Sequence, residues 1–109
     1  MQISLKSTLL ELTDALREYI HKRLEPLGKI LKRLEEKGEY SLHVEVARAT
    51  RHHRKGEKVY YVEVTLALPR KTIRIEQYDE DVRKGVDAAK KRLQVAIEQY
   101  KEKMQEKRK

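Results

Sequence analysis

The chain has 109 residues, with 26 Lys and Arg against 18 Asp and Glu for a formal net charge of +8, 39% hydrophobic residues and no cysteine. That length makes one domain, with enough Leu, Val and Ile for a modest core, so global disorder is excluded. Without cysteine there is no disulfide framework, thiolate zinc site or cysteine nucleophile. No apolar run nears the roughly 20 residues that cross a bilayer, and charge enters the N-terminus too early for a signal peptide, so a cytosolic chain with no membrane partner is expected.

Ile3 and Leu5 alternate with polar neighbours and predict a short first strand. Thr13 stands at an N-cap position with Asp14 behind it. It opens a helical pattern through Leu16, Ile20, Leu24, Leu27, Leu31 and Leu34 that ends at Lys37-Gly38. Pro26 lies inside this pattern and removes a ladder bond, so a kink near Leu24 or two abutting helices are expected.

From Tyr40 the period becomes two. Tyr40, Leu42, Val44 and Val46 face inward, opposite Ser41, His43, Glu45 and Ala47. A second run turns Tyr60, Val62, Val64, Leu66 and Leu68 inward and Tyr61, Glu63, Thr65 and Ala67 outward. After a turn at Pro69-Arg70, a third run buries Ile73 and Ile75. Three successive strands joined by loops imply antiparallel pairing with one wet face.

Asp79 and Asp81 precede a long amphipathic helix with Val82, Val86, Ala89, Leu93, Ile97, Tyr100 and Met104 on its apolar face. Its last turns, Lys101 to Lys109, are expected to project into solvent and fray. The order β-α-β-β-β-α predicts an α+β fold, with two helices packed on one face of a four-stranded sheet.

The surplus charge is local. Residues 48–58 carry five Lys/Arg against one acid and 83–109 carry ten against four, while 13–39 carry seven against six and 59–82 three against five. Arg48, Arg51, Arg54, Lys55 and Lys58, with His52 and His53 among them, put a concentrated positive field at one sheet end, within reach of phosphates. The bland counterpart is a solubilising loop that discourages edge pairing. On the last helix Lys84 and Lys91 share a face, Arg83, Lys90 and Lys101 form an adjoining row, and Arg92 and Lys103 lie on the other flank. Acids are sparse between Lys84 and Arg92, which favours a nucleic-acid-facing stripe over a merely solvated face.

Catalysis finds little support. Ser4, Ser7 and Ser41 lie in or beside strands, not in a strained glycine-flanked turn, and the four glycines are too scattered to cradle a phosphate. Most carboxylates alternate with Lys or Arg on helix faces, the pattern of solvated i,i+4 pairs. His52 and His53 lack a third ligand, and His21 and His43 fall on polar surfaces, so no metal, cofactor or small-molecule substrate is expected. Tyr61 is expected on the wet sheet face, where one tyrosine beside Glu45 and Glu63 makes a poor base-stacking platform, which favours recognition of shape and phosphates.

As a set, these segments resemble the ribosome hibernation-promoting factor family, which includes the ribosome-associated inhibitor. The resemblance rests on the opening MQISL, on LTDALREYIHKRLEPLGKI with its Thr-x-Ala-Leu-Arg start, on RATRHHRKGEKVYYVEVTLALP across the strand pair, and on DEDVRKGVDAAKKRL and QYKEK in the last helix. It implies a fold similar to double-stranded-RNA-binding domains. It also implies a partner, the small ribosomal subunit and its rRNA, where such a domain occupies the path of mRNA and tRNA and silences translation, with the protein monomeric off the ribosome.

By position, Arg17 and Arg23 match basic sites of the family's first helix, Arg92 the basic residue before the helix leucine, and Lys101 and Lys103 its Lys-x-Lys end. Asp81 and Asp87 match acids near the helix start. The chain departs from the pattern where Arg83, Lys84 and Gly85 replace an aromatic and alanines, and where Val95, Glu98 and Gln99 replace residues often basic in relatives. By its length the chain is expected to belong to the short branch, without the dimerisation domain of long members or the acidic tail of the inhibitor. The other classes left open are a structured-RNA binder without ribosome specificity and a protein-interaction module.

Overall fold

In the computed structural model, residues 1–32, 40–50, 58–68 and 70–107 are described. Strand β1 (Gln2–Thr8) is longer than the Ile3 and Leu5 alternation alone implied, with side chains alternately exposed and half-buried along all seven residues. Leu9 ends it by taking a left-handed conformation, φ 56°, which turns the chain out of the sheet at a steric cost of roughly 1 kcal/mol for a residue with a Cβ.

Thr13 is the N-cap of α1 (Asp14–Leu24): its backbone is extended and its Oγ1 accepts the Leu16 N–H at 3.1 Å. Pro26 has no N–H to continue the ladder, so it opens a new helix, α2 (Pro26–Lys32), at the first position, where no donor is needed. The first helical pattern is thus two abutting helices, one of the two outcomes that proline implied. Its expected end at Lys37-Gly38 lies outside the described residues.

Strands β2 (Ser41–Thr50), β3 (Lys58–Ala67) and β4 (Thr72–Asp79) follow, then α3 (Val82–Lys107). Asp81 caps α3, its Oδ1 accepting the N–H groups of Arg83 at 2.8 Å and Lys84 at 3.4 Å. The sheet order is β1-β2-β3-β4. Both later pairings are antiparallel, as expected of successive strands, but β1 runs parallel to β2. The α1–α2 segment supplies the crossover such a pair requires. The result is an α+β fold with a mixed sheet in the order β-α-β-β-β-α.

The register lines up apolar rows on one face: Ile3, Leu42, Leu66 and Ile73 in one, and Leu5, Val44, Val64 and Ile75 in the next. Against them pack Leu16, Ile20 and Leu24 from α1, Leu27 and Leu31 from α2, and Val86, Ala89, Leu93, Ile97 and Tyr100 from α3, forming one buried cluster. A Cβ at Gly85 would stand 3.0 Å from Val62 Cγ2, so the glycine lets the start of α3 lie close on β3. Met104 still packs against the cluster, so core contact reaches the far end of α3. Residues 108–109, part of the end expected to fray, lie outside the described residues.

Candidate nucleic-acid interface

The core stripe of α3 fixes where its charges point. Residues advance about 100° each around a helix, so with Val86, Leu93 and Ile97 turned inward, Arg83, Asp87, Lys90, Gln94 and Lys101 occupy the flank toward α1. Lys84 and Lys91 are outermost, and Arg92 and Lys103 fall on the flank toward β4. From Lys84 to Lys101 the helix rises roughly 25 Å, a span covering several phosphates of a nucleic-acid strand.

Between α1 and α3 runs a groove of about 530 Å³ lined by Arg23, Asp87, Ala88, Lys90, Lys91 and Gln94. Tyr19 and Arg23, four apart on α1 and thus neighbours on its surface, meet α3 here. The Tyr19 hydroxyl donates to both Asp87 carboxylate oxygens at 2.7 and 2.8 Å. Arg23 Nε lies 3.2 Å from Asp87 Oδ1 and donates to the Tyr19 oxygen at 3.2 Å. The guanidinium carbons of Arg23 and Arg83 stand 5.3 and 5.4 Å from the Tyr19 ring centroid, within cation–π range. Partial burial, then the hydrogen bond to Asp87, raise the Tyr19 pKa. The bond to Tyr19 and the Asp87 charge raise that of Arg23, so this guanidinium stays protonated at any working pH.

The structure therefore brings Arg23, Lys90 and Lys91 together around one groove, with Lys84 on the outer face of α3 and Lys101 further along the flank toward α1. Arg83 joins them. Arg17 does not: it is six residues before Arg23, about 120° around α1, on the flank away from α3. Arg48 pairs in register with Tyr60, and Tyr60 with Asp79. It thus lies at the sheet end where α3 begins, and the basic connection leaves β2 at that same end. Arg51, Arg54 and Lys55, with His52 and His53, lie outside the described residues. None of Arg17, Arg48, Lys84, Lys90, Lys91, Lys101 and Lys103 forms an ion pair with another described residue.

Arg92 is engaged by the sheet. Its Nη1 donates to the Glu76 carbonyl at 2.6 Å and to Gln77 Oε1 at 3.1 Å, covering part of the edge strand β4, whose unpaired backbone would otherwise be open to another chain. Arg92→Ala removes both bonds and should lower stability by about 1 kcal/mol in urea unfolding, a modest loss because the side chain is exposed, whereas Lys91→Ala should stay within roughly 0.5 kcal/mol. Equal effects would show that the Arg92 contact contributes nothing.

The opposite sheet face has a different character. Glu45 faces Glu63 in register and Glu63 faces Glu76, with Lys6 beside Glu45. Directly opposed carboxylates repel, and neighbours offset this. Thr8 Oγ1 donates to Glu45 at 2.9 Å, Tyr61 donates to Glu63, and Arg74 donates to Glu63 at 2.8 Å and pairs with Glu76 at 3.3 Å. Tyr61, with Tyr78 at a centroid distance of 5.1 Å, flanks this row. The bonds from Tyr61 and then Arg74 hold the Glu63 carboxyl below its usual pKa. A depressed carboxylate stabilises the fold above its unfolded pKa, and the contribution is lost as pH falls through the folded value. Glu63→Gln should therefore flatten the loss of stability below about pH 4.5, as read by unfolding across that range. An unaltered acid limb would mean that Glu63 is not the group titrating.

Ser4 Oγ hydrogen-bonds His43 Nδ1 on the same face. The two residues are register partners, and their meeting is an ordinary cross-strand contact. Among the described residues no group of three or more His, Asp or Glu could hold a metal ion, and no helix is long and apolar enough to cross a membrane.

Known proteins share this fold. The model of the family described as "Sigma 54 modulation protein / S30EA ribosomal protein" matches residues 3–105. Among solved structures, the Thermus thermophilus Protein Y N-terminal domain superposes with a TM-score of 0.71 at 29% identity, covering 92% of this chain and 99% of that one. A ribosomal subunit interface protein from Coxiella burnetii shares the fold, with a TM-score of 0.69 at 21% identity over 93% of this chain and 98% of that one. No curated protein sequence matches. With the family match running from the first strand to the last turns of α3, the chain belongs to the sigma 54 modulation protein / S30EA ribosomal protein family.

Proposed function

We propose that this protein is a non-enzymatic ribosome hibernation factor that binds small-subunit rRNA in the decoding cleft of cytoplasmic ribosomes, excludes mRNA and tRNA, and silences translation. The observation that carries the proposal is the groove between α1 and α3. There Arg23, Lys90 and Lys91 converge, Arg83 and Lys84 extend the positive surface, and neither Lys90 nor Lys91 forms an ion pair with another described residue. Membership of a family described as ribosomal supports the ribosome as the source of the polyanion. In this reading residues 1–109 act as one ribosome-binding domain. Phosphate contacts set affinity and orientation, and the bulk of the sheet obstructs the cleft.

Neutralising phosphates releases counterions, so log affinity should fall with log salt at roughly −0.9 per contact on a duplex. The test is co-sedimentation with isolated small subunits at about 50 and 200 mM salt, beside inhibition of in vitro translation. Binding at low salt that weakens steeply, together with inhibition, is the expected result. No co-sedimentation at low salt would overturn the proposal. Equal affinity for bare duplex RNA would reduce it to general RNA binding, and ribosome-free binding that survives nuclease would point to a protein partner.

A further inference from the structure

A carboxylate among convergent cations is the wrong charge for a polyanion site, since it weakens the local field that attracts phosphates. Asp87 lines the same groove as Arg23, Lys90 and Lys91. Its oxygens are occupied by two α1 side chains, the Tyr19 hydroxyl at 2.7 and 2.8 Å and Arg23 Nε at 3.2 Å. The contact joins residues 68 apart in sequence, so it also ties α1 to α3.

What this does to Arg23 follows from which nitrogen is held. Both contacts, to Asp87 and to the Tyr19 oxygen, use Nε, and the guanidinium lies over the Tyr19 ring. Nη1 and Nη2 bond no other described residue. A planar guanidinium anchored at Nε and stacked on a ring loses most of its rotamer freedom before any ligand arrives, while its forked end keeps the donors that match two phosphate oxygens. A free arginine would lose that freedom on binding instead.

We propose that Asp87 is a positioning residue: with Tyr19 it holds the Arg23 guanidinium so that its Nη donors receive one RNA phosphate in the groove, opposite Lys90 and Lys91. The inference rests on the RNA-binding reading above and assigns that groove a phosphodiester as its ligand. A groove of about 530 Å³ open to solvent admits a phosphate and its sugar, and no base-specific contact is needed.

The sign of one substitution tests it. Asp87→Asn makes the protein more positive by one charge, so if Asp87 were only an opposing charge the variant would bind small subunits more tightly. Positioning demands the reverse: affinity about fivefold to tenfold weaker, with the salt slope shallower by roughly 0.9 as the Arg23 contact drops out. In an Arg23→Ala background the same substitution should no longer weaken binding, because the residue it serves is gone. Circular dichroism melts accompany each variant. If Asp87→Asn does not fold, Tyr19→Phe decides, since it keeps the ring and removes the hydroxyl. Weaker binding supports the proposal, and equal or tighter binding overturns it.

Tighter binding by Asp87→Asn, or an undiminished loss in the Arg23→Ala background, would also overturn the positioning role. It would leave ribosome binding itself intact. Failure of the unaltered protein to co-sediment would instead remove the reading on which the role depends.

Discussion

Replacing Lys84, Lys90 and Lys91 together by glutamate should cut affinity for small subunits by at least about 100-fold and abolish inhibition of translation, while leaving the domain folded. Lys84 and Lys91 are exposed and Lys90 is half-buried at the groove, and none is paired with another described residue. Each lost phosphate contact lowers the salt slope by roughly 0.9, so the variant's residual binding should also be flatter in salt by about 2 to 3. The fold should tolerate the change because the three side chains lie off the apolar stripe, and surface substitutions usually move stability by less than about 0.5 kcal/mol each. Competition binding against the unaltered protein, with a thermal melt as control, gives both readings. Full inhibition by the variant would clear this stripe of a role.

The largest effect on stability is expected at Leu93. Its side chain is fully buried, at the centre of α3 where that helix crosses β3 and β4. Leu93→Ala removes buried methyl groups and leaves a cavity between rigid layers, at a cost of about 3 to 4 kcal/mol. For a domain whose whole stability is roughly 5–15 kcal/mol, that should lower the melting temperature by about 15–25 °C. Val95, two residues on, is 53% exposed, and Val95→Ala should shift stability by less than roughly 0.5 kcal/mol. A small loss at Leu93 would show that α3 can settle onto the sheet, contrary to the close approach Gly85 allows.

Local chemistry made most of the fold legible. Thr13 announces a helix start because its hydroxyl meets an amide three residues ahead, and Pro26 divides the helix because the lost donor is its own. The alternation of β2, β3 and β4 reads directly because one sheet face is covered and the other wet. The parallel seat of β1 beside β2 does not read, since its pattern specifies which side chains face inward but not which strand lies alongside. Tyr60 shows a second limit. It has the parity of the core, yet at the sheet end it is only half-buried.

The interface divides the same way. Helical spacing placed Lys84, Lys90, Lys91 and Lys101 correctly relative to one another, and it separated them from Arg92 and Lys103. It could not show that Arg92 reaches the β4 backbone or that Arg17 points away from α3, because both depend on which flank meets which neighbour. The Tyr19–Asp87 contact was out of reach of any local pattern. A signal did exist, however: Asp87 is the lone acid between Asp81 and Glu98, and an isolated acid in a basic stretch calls for a partner.

The parallel pairing of β1 bears on how the sheet is assembled. β2 and β3 meet across residues 51–57, and β3 and β4 across four residues, so each of those ladders closes a short loop. Gln2 must find Ser41, and the entropy of closing that longer loop is offset only once α1 and α2 have packed between them. By that reasoning the three-stranded meander with α3 should form first and β1 should join the sheet last. By the same reasoning β1 is where the native sheet opens first, so its amides should exchange with solvent hydrogen sooner than those of the central strand β3.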